Sequence, residues 1–282
     1  MTASKKKGLF DFDFDIRTIV GVGLLTAIVL VLQLFIGSTI RLGTFSVSLV
    51  LMPIVIGAAL FGFWAGAWLG LVFGVAVLLS GDASLFMGIN PLGTIVTVIL
   101  KGLLAGAISG LVYTGLAELF SKNNSTERFA TIAACCLMAL GGVACLGYGI
   151  HLNNTPVISK ALEESSSSNP GTFCIVFGSI LAAVGLALLI YVLIKKPDLD
   201  VSAAVFVSAA VCPIVNTGVF LIGCRLFFYS TIKEWAGNTD VGTYMIVGLV
   251  GLNFIFELAI NLILSPAIVM LIRYGQKTFV KH

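Results

Sequence analysis

Apolar residues run along this chain in eight stretches, and most polar residues fall between them. The stretches occupy approximately 18–37, 45–61, 64–80, 92–118, 129–150, 172–194, 202–228 and 244–272. A helix needs roughly 17–25 mainly apolar residues to cross a bilayer. Inside lipid its backbone groups must be bonded within the protein. The pattern therefore predicts an all-α integral membrane protein of about eight spans. The second and third stretches are short, and only Phe61-Gly62-Phe63 separates them. They form either one broken hairpin or two tilted spans.

Glycine recurs every fourth residue in the third stretch, at Gly62, Gly66, Gly70 and Gly74. The fourth repeats the step at Gly102, Gly106 and Gly110, with Ala105 and Ala107 beside them. A four-residue step keeps these positions on one helix face. Small residues on a face let two backbones approach closely in lipid. These faces predict tight packing that could frame a rigid pocket. The stretches 129–150 and 172–194 carry no charged residue and are joined by a polar loop, His151 to Gly171, containing Ser165-Ser166-Ser167-Ser168. They are expected to form a peripheral hairpin, about 129–194, inserted into a core made from about 18–118 and 202–272. The whole chain, 1–282, is then a single transmembrane domain.

Composition agrees, with 59% hydrophobic and 10% charged residues, against about 25% charged in a soluble domain. Basic residues predict orientation, because Lys and Arg accumulate on the cytoplasmic side. With the N-terminus inside, the inner face holds Lys5, Lys6, Lys7, Arg17, Lys122, Arg128, Lys195, Lys196, Arg273, Lys277 and Lys281. The outer face holds only Arg41, Lys160 and Lys233. The expectation is a multi-pass protein of the cell membrane with both termini cytoplasmic. The net charge of +3 reflects this bias and gives no hint of nucleic-acid binding.

The run from Ile19 to Ile36 is long for a signal-peptide core, and no small-residue cleavage site ends it, so it reads as the first span. The preceding Phe10-Asp11-Phe12-Asp13-Phe14-Asp15 either rests at the membrane interface or is a cytoplasmic lead-in. Six cysteines lie in or beside apolar stretches without a CxxC pair. They are expected to act as small hydrophobes rather than in disulfides or metal sites. There is no phosphate-binding loop, no HExxH, no arginine-rich voltage-sensor helix and no histidine cluster, only His151 and His282. No metal site and no cofactor are therefore expected.

Ionisable residues inside a span are costly and point to function. Three qualify: Lys101, Arg225 and Glu257, all toward the outer half or the middle. In one reading Lys101 and Glu257 pair structurally while Arg225 reaches the interface. In the other, Lys101 and Arg225 meet an anionic or carbonyl group of a ligand, and Glu257 orients Lys101 or accepts from the ligand. The seventh stretch reads Cys212-Pro213-Ile214-Val215-Asn216-Thr217-Gly218. Proline there either breaks the helix beside Asn216 or only kinks it, with Asn216 bonded to a neighbouring helix. In the eighth, Asn253, Glu257 and Asn261 share a four-residue spacing and form one polar stripe. Two outer loops, Gly37 to Gly43 with Arg41 and Ser80 to Pro91 with Asp82, Phe86, Met87 and Asn90, are lids or plain connectors. Phe86, Trp64, Trp68 and Trp235 are expected to pack or to sit at the interface.

Three segments carry a family resemblance. The run Ser46-Val47-Ser48-Leu49-Val50-Leu51-Met52-Pro53-Ile54-Val55-Ile56-Gly57-Ala58, followed by Leu60-Phe61-Gly62-Phe63-Trp64-Ala65-Gly66-Ala67, resembles the second-to-third helix region of the substrate-binding S components of energy-coupling factor (ECF) vitamin transporters. Asn90-Pro91 through Leu100-Lys101-Gly102-Leu103-Leu104-Ala105-Gly106 resembles their fourth helix, and Glu257, Asn261 and Ser265-Pro266 fit the last. The resemblance implies a six-helix bundle that captures a vitamin near the outer side. It implies a transmembrane scaffold subunit and two cytoplasmic ATPases as partners. It also implies docking through small residues of the first helix, here Gly23 and Ala27. The inserted hairpin departs from the six-helix pattern.

The resulting expectation is a non-enzymatic capture subunit whose pocket uses Lys101, Asn216, Arg225, Asn253 and Glu257, with Asn90 and Arg41 from the lids. Two basic groups against one carboxylate favour an anionic ligand such as pantothenate or folate. The alternative is a stand-alone secondary transporter that couples protons through Glu257.

Overall fold

The structure, a computed structural model, describes residues 15–37, 41–42, 45–46, 49–121, 124–154, 170–195, 202–237 and 240–275. The aromatic–acidic lead-in through Phe14, much of the Gly37–Gly43 loop and the serine run of the His151–Gly171 loop lie outside the described residues.

The protein is all-α apart from one small ribbon. Five helices are long and apolar enough to cross a membrane among the described residues: Ile16–Phe35, Phe63–Ser80, Pro91–Leu119, Ala203–Phe227 and Asn253–Gly275. The first comprises α1 (Ile16–Val31) and a π-helical turn, Leu32–Gly37. The chain then forms β1 (Arg41–Leu42), paired antiparallel with β2 (Phe45–Ser46). This ribbon occupies the start of the stretch expected to span from 45. Helix α2 begins only at Leu51 and ends at Phe61. Eleven residues reach about 16 Å at 1.5 Å each, too short to span alone. Nine of them are buried, so α2 is an interior helix. Gly62 then turns the chain with φ +88°, a conformation natural to glycine. Helix α3 (Phe63–Ser80) follows directly. The short stretches are thus two helices joined at a one-residue corner.

After the four-residue α4 (Ser84–Met87), the long α5 (Pro91–Ser121) runs back along α3. The two glycine faces meet. A Cβ at Gly70 would strike the Gly102 carbonyl, and one at Gly106 would strike the Gly66 carbonyl. At the ends, Gly74 abuts the backbone of Val98 and Ile99, and Gly110 that of Phe63. Only hydrogen in place of a side chain permits this separation.

Helix α6 (Asn124–Asn154) and α7 (Pro170–Lys195) pack chiefly on each other. Gly142, Gly178 and Gly185 supply the contact, with Gly142 against Ala182 and Gly185 against Ala139. This pair reaches the core through Met138 and Leu181, which pack with Ala259.

Helix α8 (Ser202–Phe227) is continuous through Pro213, so of the two alternatives the break beside Asn216 does not form, and Asn216 turns to Glu257 of a neighbouring helix. Proline deletes one backbone donor, but the helix is held on one side by α5 and on another by the last helix, Leu252–Gly275. Ser208 of α8 donates to the Ser109 carbonyl of α5 at 2.8 Å, fastening this contact. Packed neighbours commonly keep proline-containing spans helical. Irregular backbone occurs elsewhere. After α9 (Tyr229–Ala236) and the single turn α10 (Val241–Thr243), residues Tyr244–Gly251 are π-helical, leading into that last helix, α11 (Leu252–Gly275). The main core joins Val29, Leu51, Ile54, Leu69, Phe73, Val205 and Ile268 across α1, α2, α3, α8 and α11.

Candidate ligand cavity

Helical spacing brings polar groups from three helices to one cavity. Thr94, Thr97 and Lys101 form a single face of α5 at i, i+3 and i+7. Asn216, Thr217 and Phe220 come from α8, and Asn253 and Glu257 from α11. Phe73 and Val77 of α3, Asp82, Phe86, Phe228 and Val250 complete much of the wall. Counted out into the open mouth, the empty space is about 730 Å³, of which about 60 Å³ admits the centre of a water molecule.

Glu257 organises one side. It is 1% exposed. Asn253 Nδ2 donates to its Oε1 at 3.2 Å, and Asn216 Nδ2 approaches its Oε2 at 3.5 Å. Asn261 Nδ2 donates to the Glu257 backbone carbonyl at 2.9 Å. The Asn253–Glu257–Asn261 stripe is therefore internally bonded and faces protein. Opposite it, the Lys101 ammonium lies over two rings, 5.4 Å from the Phe220 centroid and 5.8 Å from that of Phe73. It also feels the charges of Glu257 and Asp82. Cation–ring contact offsets part of the cost of taking an ammonium from water.

The remaining expected site residues are placed differently. Arg225 is exposed, stacks on the Tyr229 ring at 4.0 Å and is not part of the cavity wall. Its long side chain lets the charge leave the apolar interior. Asn90 caps α5: its Oδ1 accepts from Gly93 N–H at 3.0 Å, with Pro91 at the first helical position. Replacing Asn90 with alanine is expected to cost about 1 kcal/mol of stability. Thermal unfolding in detergent would read this as a lowered midpoint. Arg41 is placed by its backbone in β1, while its side chain lies outside the described residues. Gly23 and Ala27 are exposed on α1. Gly23 borders an apolar groove with Val22, Thr26, Trp64, Ala65 and Trp68.

Several cavity residues carried little sequence signal. Thr94 and Thr97 could have been found by projecting one helix face back from Lys101. Gln33 was detectable as a lone amide in the first span. It is fully buried, and its Nε2 donates to Asp82 Oδ2 at 2.7 Å. Ser80 Oγ donates to the same oxygen at 3.1 Å. Asp82 is thereby fixed at the cavity wall by groups from two helices. Phe86 packs as expected, edge-on to Phe228 at 4.9 Å and Phe220 at 5.6 Å, and it also lines the cavity.

No protein-family model, no curated protein and no solved structure matches this chain. The fold and cavity define an all-helical, multi-span membrane protein with a largely apolar chamber in its bundle into which a few polar groups converge.

Proposed function

We propose that this protein is the substrate-capture subunit, or S component, of an ATP-driven ECF-type importer for a vitamin or related micronutrient. The cavity carries this reading. It offers a few converging polar groups in a largely aromatic and aliphatic wall, the usual build of a small-molecule site. The basic-residue bias would place the Asp82 end outside and both termini in the cytoplasm.

Energy would come from partners, a transmembrane scaffold and two cytoplasmic ATPases, since the chain has no phosphate-binding loop. The exposed Gly23 and Ala27 face of α1 suits scaffold docking, because small residues admit a second helix closely. The neighbouring Trp68 is held in place by donating to Thr26 Oγ1 at 3.2 Å.

The buried carboxylate of Glu257 also suits a stand-alone proton-coupled transporter, the second reading. Vesicles containing only this chain discriminate the two. The capture reading expects binding of a water-soluble vitamin without ATP, and uptake only when scaffold and ATPases are added. Proton-driven uptake by the chain alone would overturn it.

A further inference from the structure

We propose that the cavity selects an uncharged, flat ring bearing N–H donors, in preference to an anion. The inference rests on the capture reading for the existence of a ligand and goes beyond it by naming the ligand's chemistry.

The Glu257 carboxylate decides how two amides are turned. A carboxylate only accepts, so it draws the NH₂ groups of Asn216 and Asn253. Their carbonyl oxygens are consequently left without a partner, and both are buried. Asn216 is 4% exposed, and both residues line the cavity. Thr97 Oγ1, on the facing α5 wall, is also buried and unpartnered, and as a hydroxyl it can either donate or accept. Buried polar atoms are normally bonded, and an unmet acceptor calls for a donor. A ligand that brings N–H groups to Asn216 and Asn253 would satisfy them.

Charge points the same way. The expected balance of two cations to one carboxylate depended on Arg225, which lies outside the cavity wall. Asp82 lies within it. Among the described lining residues, one ammonium therefore faces two carboxylates. A carboxylate or phosphate on the ligand would add a like charge to a partly desolvated site. Lys101 can instead donate to a neutral ring carbonyl. Phe73, Phe86, Phe220 and Phe228 present faces and edges suited to a flat ring.

The test uses the purified full chain and calorimetry with defined probes. Pterin and 4-amino-5-hydroxymethyl-2-methylpyrimidine supply uncharged N–H-bearing rings. Their dimethylamino analogues remove the exocyclic amine donors, the 3-methyl-2-dimethylamino pterin removes the ring N–H as well, and pantothenate supplies a flexible anion. The expected result is binding of an N–H-bearing ring, weakened roughly ten- to hundred-fold by donor blocking and by Asn216→Leu. Thr97→Val, nearly isosteric, should weaken it less while leaving the melting midpoint unchanged, which separates lost contacts from misfolding. Pantothenate binding more tightly than both rings, lost in Lys101→Ala but kept in Asn216→Leu, would overturn this inference and leave the capture reading standing. Absence of binding by both classes, with proton-driven uptake by the chain alone, would overturn both.

Discussion

Gly70→Val is expected to cost about 3 kcal/mol or more, the upper end of overpacking penalties. A valine at this position meets the backbone of Gly102 and Leu103 on α5 rather than a side chain able to rotate away. The two helices must separate, and the neighbouring Gly66–Gly106 contact opens with them. The same residue type in the same bundle supplies a control. At Gly115 on α5 nothing lies within 4 Å of the point a Cβ would occupy, so Gly115→Val should stay within about 0.5 kcal/mol of the parent. Thermal unfolding of both variants in detergent measures the contrast. Equal midpoints for Gly70→Val and the parent would mean that close α3–α5 packing does not hold the bundle together.

Glu257→Leu is expected to destabilise the protein by about 2–5 kcal/mol, because the amides of Asn216 and Asn253 lose their acceptor in a buried site. The charge facing Lys101 disappears in the same step. Glu257→Gln separates these effects. Its amide oxygen still accepts one hydrogen bond, and an asparagine can turn to accept from its NH₂ group. Stability should therefore fall by only about 1 kcal/mol, while ligand binding weakens because the carboxylate no longer fixes the amide orientations. Unfolding and calorimetry on both variants provide the measurement. A Glu257→Leu protein as stable as the parent would remove Glu257 from its organising position.

The glycine faces show how much of the fold is legible in one dimension. A four-residue step is a local property, and it correctly marks a surface for close packing. It does not name the partner surface; that the faces of α3 and α5 meet each other follows from the tight connection through α4. The apolar count was less informative for α2. A continuous apolar run has no period that distinguishes a lipid-facing span from an interior helix, and here nine buried residues show the latter. Pro213 left a break and an unbroken helix both open for a related reason: its local cost is the same everywhere, and it is packing by α5 and α11 that keeps α8 continuous.

The sequence by itself determined that this is an all-helical, multi-span membrane protein and picked out Lys101, Asn216, Asn253 and Glu257 as groups too polar for lipid. Length, apolar content and helical spacing suffice for both, because each depends on residues close in the chain. Only the tertiary structure decided which polar groups share a chamber. It joined Glu257 to Asn216, brought Asp82 to the wall under the hold of Gln33, and left Arg225 stacked outside on Tyr229. Whether a charge is enclosed depends on helices distant in sequence that pack around it and on the reach of its own side chain, and neither is written in the local pattern.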